Sequence, residues 1–434
     1  MIKTWLADCV EGHPECAQKE HPAFVPPRLI CLEQDTARLI TAEPRAGLIR
    51  QYATLSHCWG PHPTFLTLSA EHHDAFEKAL PYEQLAKTFQ HVITICKSIG
   101  ITYLWIDSLC ILQNGPGSTE DWQRYVAIVP KIYRNGYVNI AAKWAKSSEE
   151  GLFRLRNPLL LQSHVVFLKD KDNREESYML YIEELEELNS NLNSARLQTR
   201  GWVFQERLLS PRIVHFAKEQ IWWECSQAAT TCEKRPRGNF GEQRSHQGMT
   251  GVPGPIQFDR SVLGADIARL CNDGLVKPGC LPWLSRLLML EKEPQEFNQK
   301  MAQSTLDYFG LIEKYTERQL TYQDSDKLPA FGAITGYYAK VFNSRYLVGC
   351  FEQHFPACLV WRVKHDHPAS NFHSVDYQRP SWSWINSDSP VKFDCGPSYL
   401  NRYGGGYATL ADITAIRLGL VDRRNELVKF SVQS

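Results

Sequence analysis

Over residues 52–142 the apolar positions alternate between unbroken runs and helical spacing. YATLSHCWG (52–60) reads as a short apolar strand that runs out into small and polar residues and a glycine, a common entry to a functional loop. Leu85, Phe89, Val92, Cys96 and Ile99 then recur at three- and four-residue intervals, and Gly100 follows as a helix stop. ITYLWIDSLCIL (101–112) is apolar almost without alternation, the pattern of a strand covered on both faces, and Asp107 is its one charge. After the turn NGPGST, Glu120 and Asp121 stand where a helix N-terminus favours negative charge, and Trp122, Val126, Val129 and Tyr133 continue at helical spacing. YVNIAA (137–142) predicts a third strand. Strand, helix, strand, helix, strand implies a parallel sheet with right-handed crossovers. Ligands of such sheets bind beyond the C-terminal strand ends, where His57, Cys58, Trp59, Ser108 and Gln113 fall.

Further along, the acidic run Glu183 to Glu187 reads as a solvated helix face. TRGWVFQERLLSPRIVHF (199–216) predicts a helix over 202–209, stopped before Pro211, and then a strand. The polar stretch from Glu233 to Pro255 is the best linker candidate, 297–319 is amphipathic and helical, and the C-terminal third mixes aromatics with short strands and a YGGGY turn at 403–407. Trp382 and Trp384, two apart, are expected to share a strand face and close a C-terminal core. The predicted organisation is an N-terminal flank (1–44), an α/β domain (45–230), a linker or insert (231–256) and a mixed α+β region (257–434) packing on that domain.

Length changes the picture little: 434 residues suit two or three packed units. Charge excludes more. Forty-eight basic residues balance forty-eight acidic ones, which is not the footprint of a nucleic-acid binder. No apolar run reaches the ~18 residues of a membrane span, and MIKTWLADCVEGHPEC is no signal peptide, so a cytoplasmic chain without membrane attachment is expected. Thirteen scattered cysteines fit reduced thiols. One cluster has ligand-like spacing: Cys9, His13 and Cys16, at i, i+4 and i+7, would share a helix face and could present three metal ligands, with His21 or Cys31 as the fourth. The competing and preferred reading is a short helix that buries Trp5, Cys9 and Cys16 and holds no metal.

YATLSHCWG, YLWIDSLCILQ, IYRNGYVNIAA followed by GLF, and RGWVFQERLLSPR together resemble, in order and spacing, the successive motifs of the fungal heterokaryon-incompatibility (HET) domain. WLADCVEGHPEC with PPRLI, and DKLPAFGAITG, YLVGCF and RPSWSW, resemble segments that flank it in longer proteins; the short end after RPSWSW departs from relatives that continue further, so no appended effector or repeat module is expected. HET domains are similar to TIR domains. That likeness implies a flavodoxin-like sheet, a helix carrying a Trp, and a catalytic Glu four residues later in members that cleave NAD; Trp202 and Glu206 have this spacing. For the correspondence to hold, 143–199 must be an insertion.

Cleaving a ribosyl–nicotinamide bond passes through an oxocarbenium-like state, which needs a carboxylate. Glu206 is the first candidate, against an ion pair with Arg200 or Arg207; Asp107 is the second, against an anchor for loop N–H groups. His57 and Cys58 are successive strand residues and face opposite sides, so a Cys/His dyad would pair Cys58 or Cys110 with a distant histidine such as His215, oriented by Glu206 or Asp107. Ser56, Trp59, Gly60, Ser108, Gln113, Trp202 and Gln205 complete the expected binding set, Trp59 and Trp202 as stacking surfaces or as core. Three functions remain open: an NAD-consuming effector of cell death or self/non-self recognition, with NAD as substrate and no tightly bound cofactor; a biosynthetic enzyme acting on a small molecule; and a non-enzymatic module that signals by homo-oligomerising.

Overall fold

The computed structural model describes residues 1–13, 16, 24–33, 36–42, 47–157, 164–169, 175–180, 192, 195–226, 231–232, 297–364, 379–380 and 382–393. The chain divides into two units, Met1–Arg286 and Leu287–Ser434.

The first unit is built on one eight-stranded sheet. In chain order its elements are α1 (Ile2–Gly12), β1 (Arg28–Leu32), β2 (Ala37–Thr41), β3 (Ala53–Ser56), α2 (His73–Lys78), α3 (Lys87–Ile99), β4 (Tyr103–Trp105), α4 (Asp107–Cys110), α5 (Ser118–Asn135), β5 (Val138–Ala141), a separate antiparallel hairpin β6 (His164–Lys169) and β7 (Glu175–Leu180), α6 (Gly201–Leu209), β8 (Arg212–Phe216), β9 (Ile221–Cys225) and β10 (Thr231–Cys232). The sheet order is β10-β9-β8-β5-β3-β4-β1-β2. β4, β3, β5 and β8 are mutually parallel, and the sheet is extended at both edges by antiparallel strands. Taken in chain order, the parallel core reads 2-1-3-4, the flavodoxin-like order, whose direction of winding reverses between β3 and β5.

The three strands expected near 53–57, 102–108 and 137–142 are adjacent and parallel. One boundary is corrected. The strand expected to run through Asp107 ends at Trp105, and Asp107 begins the helical turn α4, whose Leu109 and Cys110 are buried as fully as the strand, so the unbroken apolar run does not distinguish strand from buried helical turn. Local chemistry explains the flanking helices. α3 buries Phe89, Val92, Ile93 and Cys96 on one face and ends at Gly100, whose left-handed φ of 82° lets its N–H reach the Cys96 and Lys97 carbonyls. α5 carries Glu120 and Asp121 in its first turn and packs with α6. The interval between β5 and α6 contributes no strand to the main sheet: β6 and β7 pair only with each other among the described residues, as an insertion would.

The second unit contains α7 (Phe297–Thr316), α8 (Gln323–Asp326), α9 (Pro329–Phe342), β11 (Tyr346–Leu347), β12 (Cys350–Phe351), α10 (Phe355–Cys358), β13 (Trp361–Val363) and β14 (Val391–Phe393), an α+β arrangement with two small antiparallel pairs. Its core is aromatic: Tyr308 meets Tyr338 at 4.8 Å and Phe351 at 5.0 Å, and Phe309 stacks on Phe393 at 4.2 Å. Trp384 is buried there as expected, but it opens a 3-10 turn instead of lying in a strand, so half-buried Trp382 does not share its face. The acidic run Glu183 to Glu187, the linker candidate Glu233 to Pro255 and the YGGGY turn lie outside the described residues. Among the described residues no helix is long and apolar enough to cross a membrane.

Candidate functional site

β3 and β5 run side by side with Ser56 opposite Ala141, so their C-terminal ends meet at the point where the winding reverses. Crevices for ligands form at such points in open α/β sheets. Ser56 ends β3 and is held there by Asn139 of β5, whose Nδ2 donates to Ser56 Oγ at 3.0 Å. Ser56 Oγ in turn donates to Glu206 Oε2 at 2.5 Å. Glu206 reaches this point because α6 buries Val203, Phe204, Gln205, Leu208 and Leu209, leaving Trp202 and Glu206, one turn apart, on its half-buried side.

The next residue of the chain, His57, is buried and bonds to the second carboxylate. Its Nε2 lies 3.0 Å from Asp107 Oδ1, and its Nδ1 lies 2.8 Å from Ser148 Oγ. Trp59 Nε1 donates to Asp107 Oδ2 at 3.1 Å, and the Ser108 N–H donates to Oδ1 at 2.7 Å. An ionised Asp107 only accepts, so the proton facing it is on Nε2 of His57. The order Ser148, His57, Asp107 looks like a nucleophilic triad turned inside out. Ser148 is completely buried and also bonded to the Cys58 carbonyl, whereas the Asp107 side chain is 32% exposed. The carboxylate, not the hydroxyl, is therefore the end open to solvent. Edge contacts from Phe65 and Phe89 at 6.1 and 5.1 Å fix the imidazole further.

The two carboxyl groups are pushed in opposite directions. Burial pushes Glu206 up to about 7, helped by the Asp107 charge and opposed by Ser56, Arg200 and Tyr133. Burial also works against an ionised Asp107, but the charge and hydrogen bond of His57, the Arg200 charge and the Ser108 N–H outweigh it and hold the group below its ordinary value. A pair of carboxyls with separated proton affinities is the arrangement that acid–base and glycosidic chemistry uses.

The remaining expected residues divide. Gln113 braces the turn, its amide donating to the Asp107 and Ile111 carbonyls at 3.2 and 3.0 Å. Gly60, at φ 91°, passes Ser147 so closely that an added Cβ would sit 3.0 Å from the serine Cβ. Ser108 and Gln205 are fully buried, and neither the Ser108 hydroxyl nor the Gln205 amide has a hydrogen-bond partner among the described residues. Trp202 meets Trp122 edge to face at 5.8 Å.

Cys58 turns into the core beside Ala141, Leu197, Val203 and Ile213, and burial pushes its thiol up; Cys110 is pushed up to about 12 by burial. His215 is not a partner for either. It pairs with Glu224 at 2.5 Å, and Glu224 also takes two hydrogen bonds from Arg207. The dyad considered from the sequence is therefore not assembled, because the buried histidine is already committed to a structural carboxylate. Of the two arginines considered as ion-pair partners of Glu206, Arg207 is paired with Glu224 in this network. Sequence reasoning missed Ser148, read Tyr133 only as a position of the predicted helix and weighed Arg200 only as an ion-pair partner of Glu206; Asn139, a polar residue inside the apolar run YVNIAA, was a readable signal. Cys9, His13 and Cys16 lie at a separate place in this unit, where Cys225 of β9 joins them; His21 lies outside the described residues, and Cys31 sits in β1 opposite Arg38 and Tyr103.

A family model described as Heterokaryon incompatibility protein (HET) matches residues 52–206, a segment that opens just before Ser56 and closes on Glu206. Comparison with curated proteins and with solved structures gave no match. The site at the β3–β5 reversal is thus built wholly from residues 52–206, the segment that matches the HET family model, and the chain carries a HET domain there.

Proposed function

We propose that the HET domain is an enzyme that cleaves NAD at the nicotinamide–ribose bond, in the service of cell death or self/non-self recognition. The observation that carries this reading is the pairing of Glu206, poised near neutrality, with an ionised Asp107 at the reversal point of the sheet. In this reaction the bond from ribose C1′ to the nicotinamide nitrogen breaks, and the electron pair leaves with nicotinamide. Positive charge develops on the ribose, and water adds at C1′ and loses a proton. An ionised Glu206 would stabilise that charge and accept the proton, a task suited to a group with pKa near the working pH. Asp107, kept charged by His57 and Trp59, holds the Glu206 proton affinity up. Arg200, whose charge acts on both carboxylates, is the candidate for the pyrophosphate, and Trp59 and Trp202 offer flat surfaces for the rings.

The test is to incubate the purified full chain with NAD and follow nicotinamide and ADP-ribose chromatographically. Formation of both, lost on Glu206→Gln, supports the reading. Intact NAD at high enzyme concentration, with an unmoved thermal melt on adding NAD, transfers the same acid–base pair to a biosynthetic reaction on another small molecule. That second reading is favoured by the carboxyl pair itself, which does not specify a nucleotide.

A further inference from the structure

We propose that Cys9, His13, Cys16 and Cys225 form a closed zinc site that ties the N-terminal segment to strand β9. Their four ligand atoms all lie within 4.8 Å of one another. Cys225 Sγ is 3.4 Å from His13 Nδ1. A tetrahedral ion with Zn–S of about 2.3 Å and Zn–N of about 2.0–2.1 Å separates those two ligands by about 3.5 Å. The Cys9 thiol is in hydrogen-bonding contact with those of both Cys16 and Cys225. Three thiols and one imidazole form a structural zinc set, and four protein ligands leave no position for substrate. No carboxylate belongs to the group, so its chemistry does not suit magnesium or calcium.

The chain is shaped for this cluster. α1 stops at Gly12, and His13 takes an extended conformation with φ −119° and ψ 94°, so Cys16 is not on the helix face. Instead a turn closed by the Cys16 N–H on the His13 carbonyl at 2.9 Å swings its thiol back towards Cys9. Trp5 of α1 packs against Trp223 of β9 at 6.2 Å, which brings the helix to the strand that supplies Cys225. The three cysteines are buried, at 1%, 2% and 3% exposure, and His13 is half-buried. Three thiolates and a dication carry a net charge of −1, and a cation stands beside them: fully buried Arg212 donates to the Cys16 carbonyl. The Ser226 side chain bonds to the Cys16 thiol as a further outer contact. A disulfide would use two of these cysteines and strand the third beside His13. Zinc accounts for all four residues, their thiols binding as thiolates with loss of their protons.

The experiment measures metal in the full chain expressed with zinc in the medium and purified without chelator. The site predicts about one zinc per chain by mass spectrometry of the elements, released when a mercurial consumes the thiols. Cys225→Ser and Cys16→Ser should each lower the zinc content at least ~10-fold, while His13→Cys retains it, because four thiolates also suit zinc. Cys96→Ser, a buried thiol of α3, is the control and keeps the metal. Should the serine variants fail to fold, cobalt loading of the wild-type chain decides: thiolate-to-cobalt charge-transfer absorption with tetrahedral ligand-field bands supports the site. Zinc-free wild type that gives no such spectrum overturns the proposal. So does a disulfide among these cysteines in the unreduced chain, or undiminished zinc in Cys225→Ser.

Discussion

Ser56 Oγ donates to Glu206 Oε2 at 2.5 Å, joining residues 150 apart in sequence and linking the end of a central strand to the helix that closes the parallel core. The bond opposes the burial that raises the Glu206 pKa. Ser56→Ala should therefore move the Glu206 ionisation further above about 7, by roughly one to two pH units for a hydrogen bond to a charged group. The acidic limb of a pH–rate profile for nicotinamide release reads this shift directly, and an unmoved limb would show that the hydroxyl does not govern the ionisation.

Asp107→Asn should move the same limb the other way. It removes the negative charge that helps raise Glu206, while the amide oxygen can still accept the Ser108 N–H. The ionisation then falls below about 7. Opposite shifts from the two variants would place Ser56 and Asp107 on one titrating group; shifts of the same sign would break that link.

A raised carboxyl also marks stability. Folding favours the protonated form of Glu206, so its contribution is intact below the ordinary value of 4.5 and is lost as pH climbs through about 7. Gln does not titrate. Glu206→Gln should melt like wild type near pH 4.5 and gain relative stability up to about pH 7, of the order of 1 kcal/mol for a partly exposed group. Thermal melts across that range check it, and a difference independent of pH would mean that the carboxyl is solvated as in an unfolded chain.

Glu224 serves the fold instead. It is buried between His215 and Arg207, so Glu224→Gln removes a charge bonded to both and should cost about 3–5 kcal/mol in denaturant unfolding. A loss below about 1 kcal/mol would show that the network contributes little.

The parallel core was legible because its strands are short, apolar and separated by helices with clear period and stops, as at Leu85 to Gly100. His57, Asp107 and Glu206 could be singled out because polar residues beside buried strands need partners. Their partners were not legible. Ser148 joins His57 across 91 positions, and nothing local to KSSEE distinguishes it from its neighbour Ser147. The antiparallel edges escaped for the same reason: β1 and β2 fall in a flank whose pairing with β4 depends on long-range register. Cys225 was hidden in the metal cluster because its partners lie more than 200 residues away, beyond any spacing rule.

The most direct test of the central claim is nicotinamide release from NAD measured across pH 5–9 for wild type and Glu206→Gln side by side. The account predicts a wild-type rate that rises through about pH 7 and a variant that stays folded but is slower at least ~100-fold, with that rise abolished. A Glu206→Gln protein that releases nicotinamide at the wild-type rate and with the same pH dependence would contradict it.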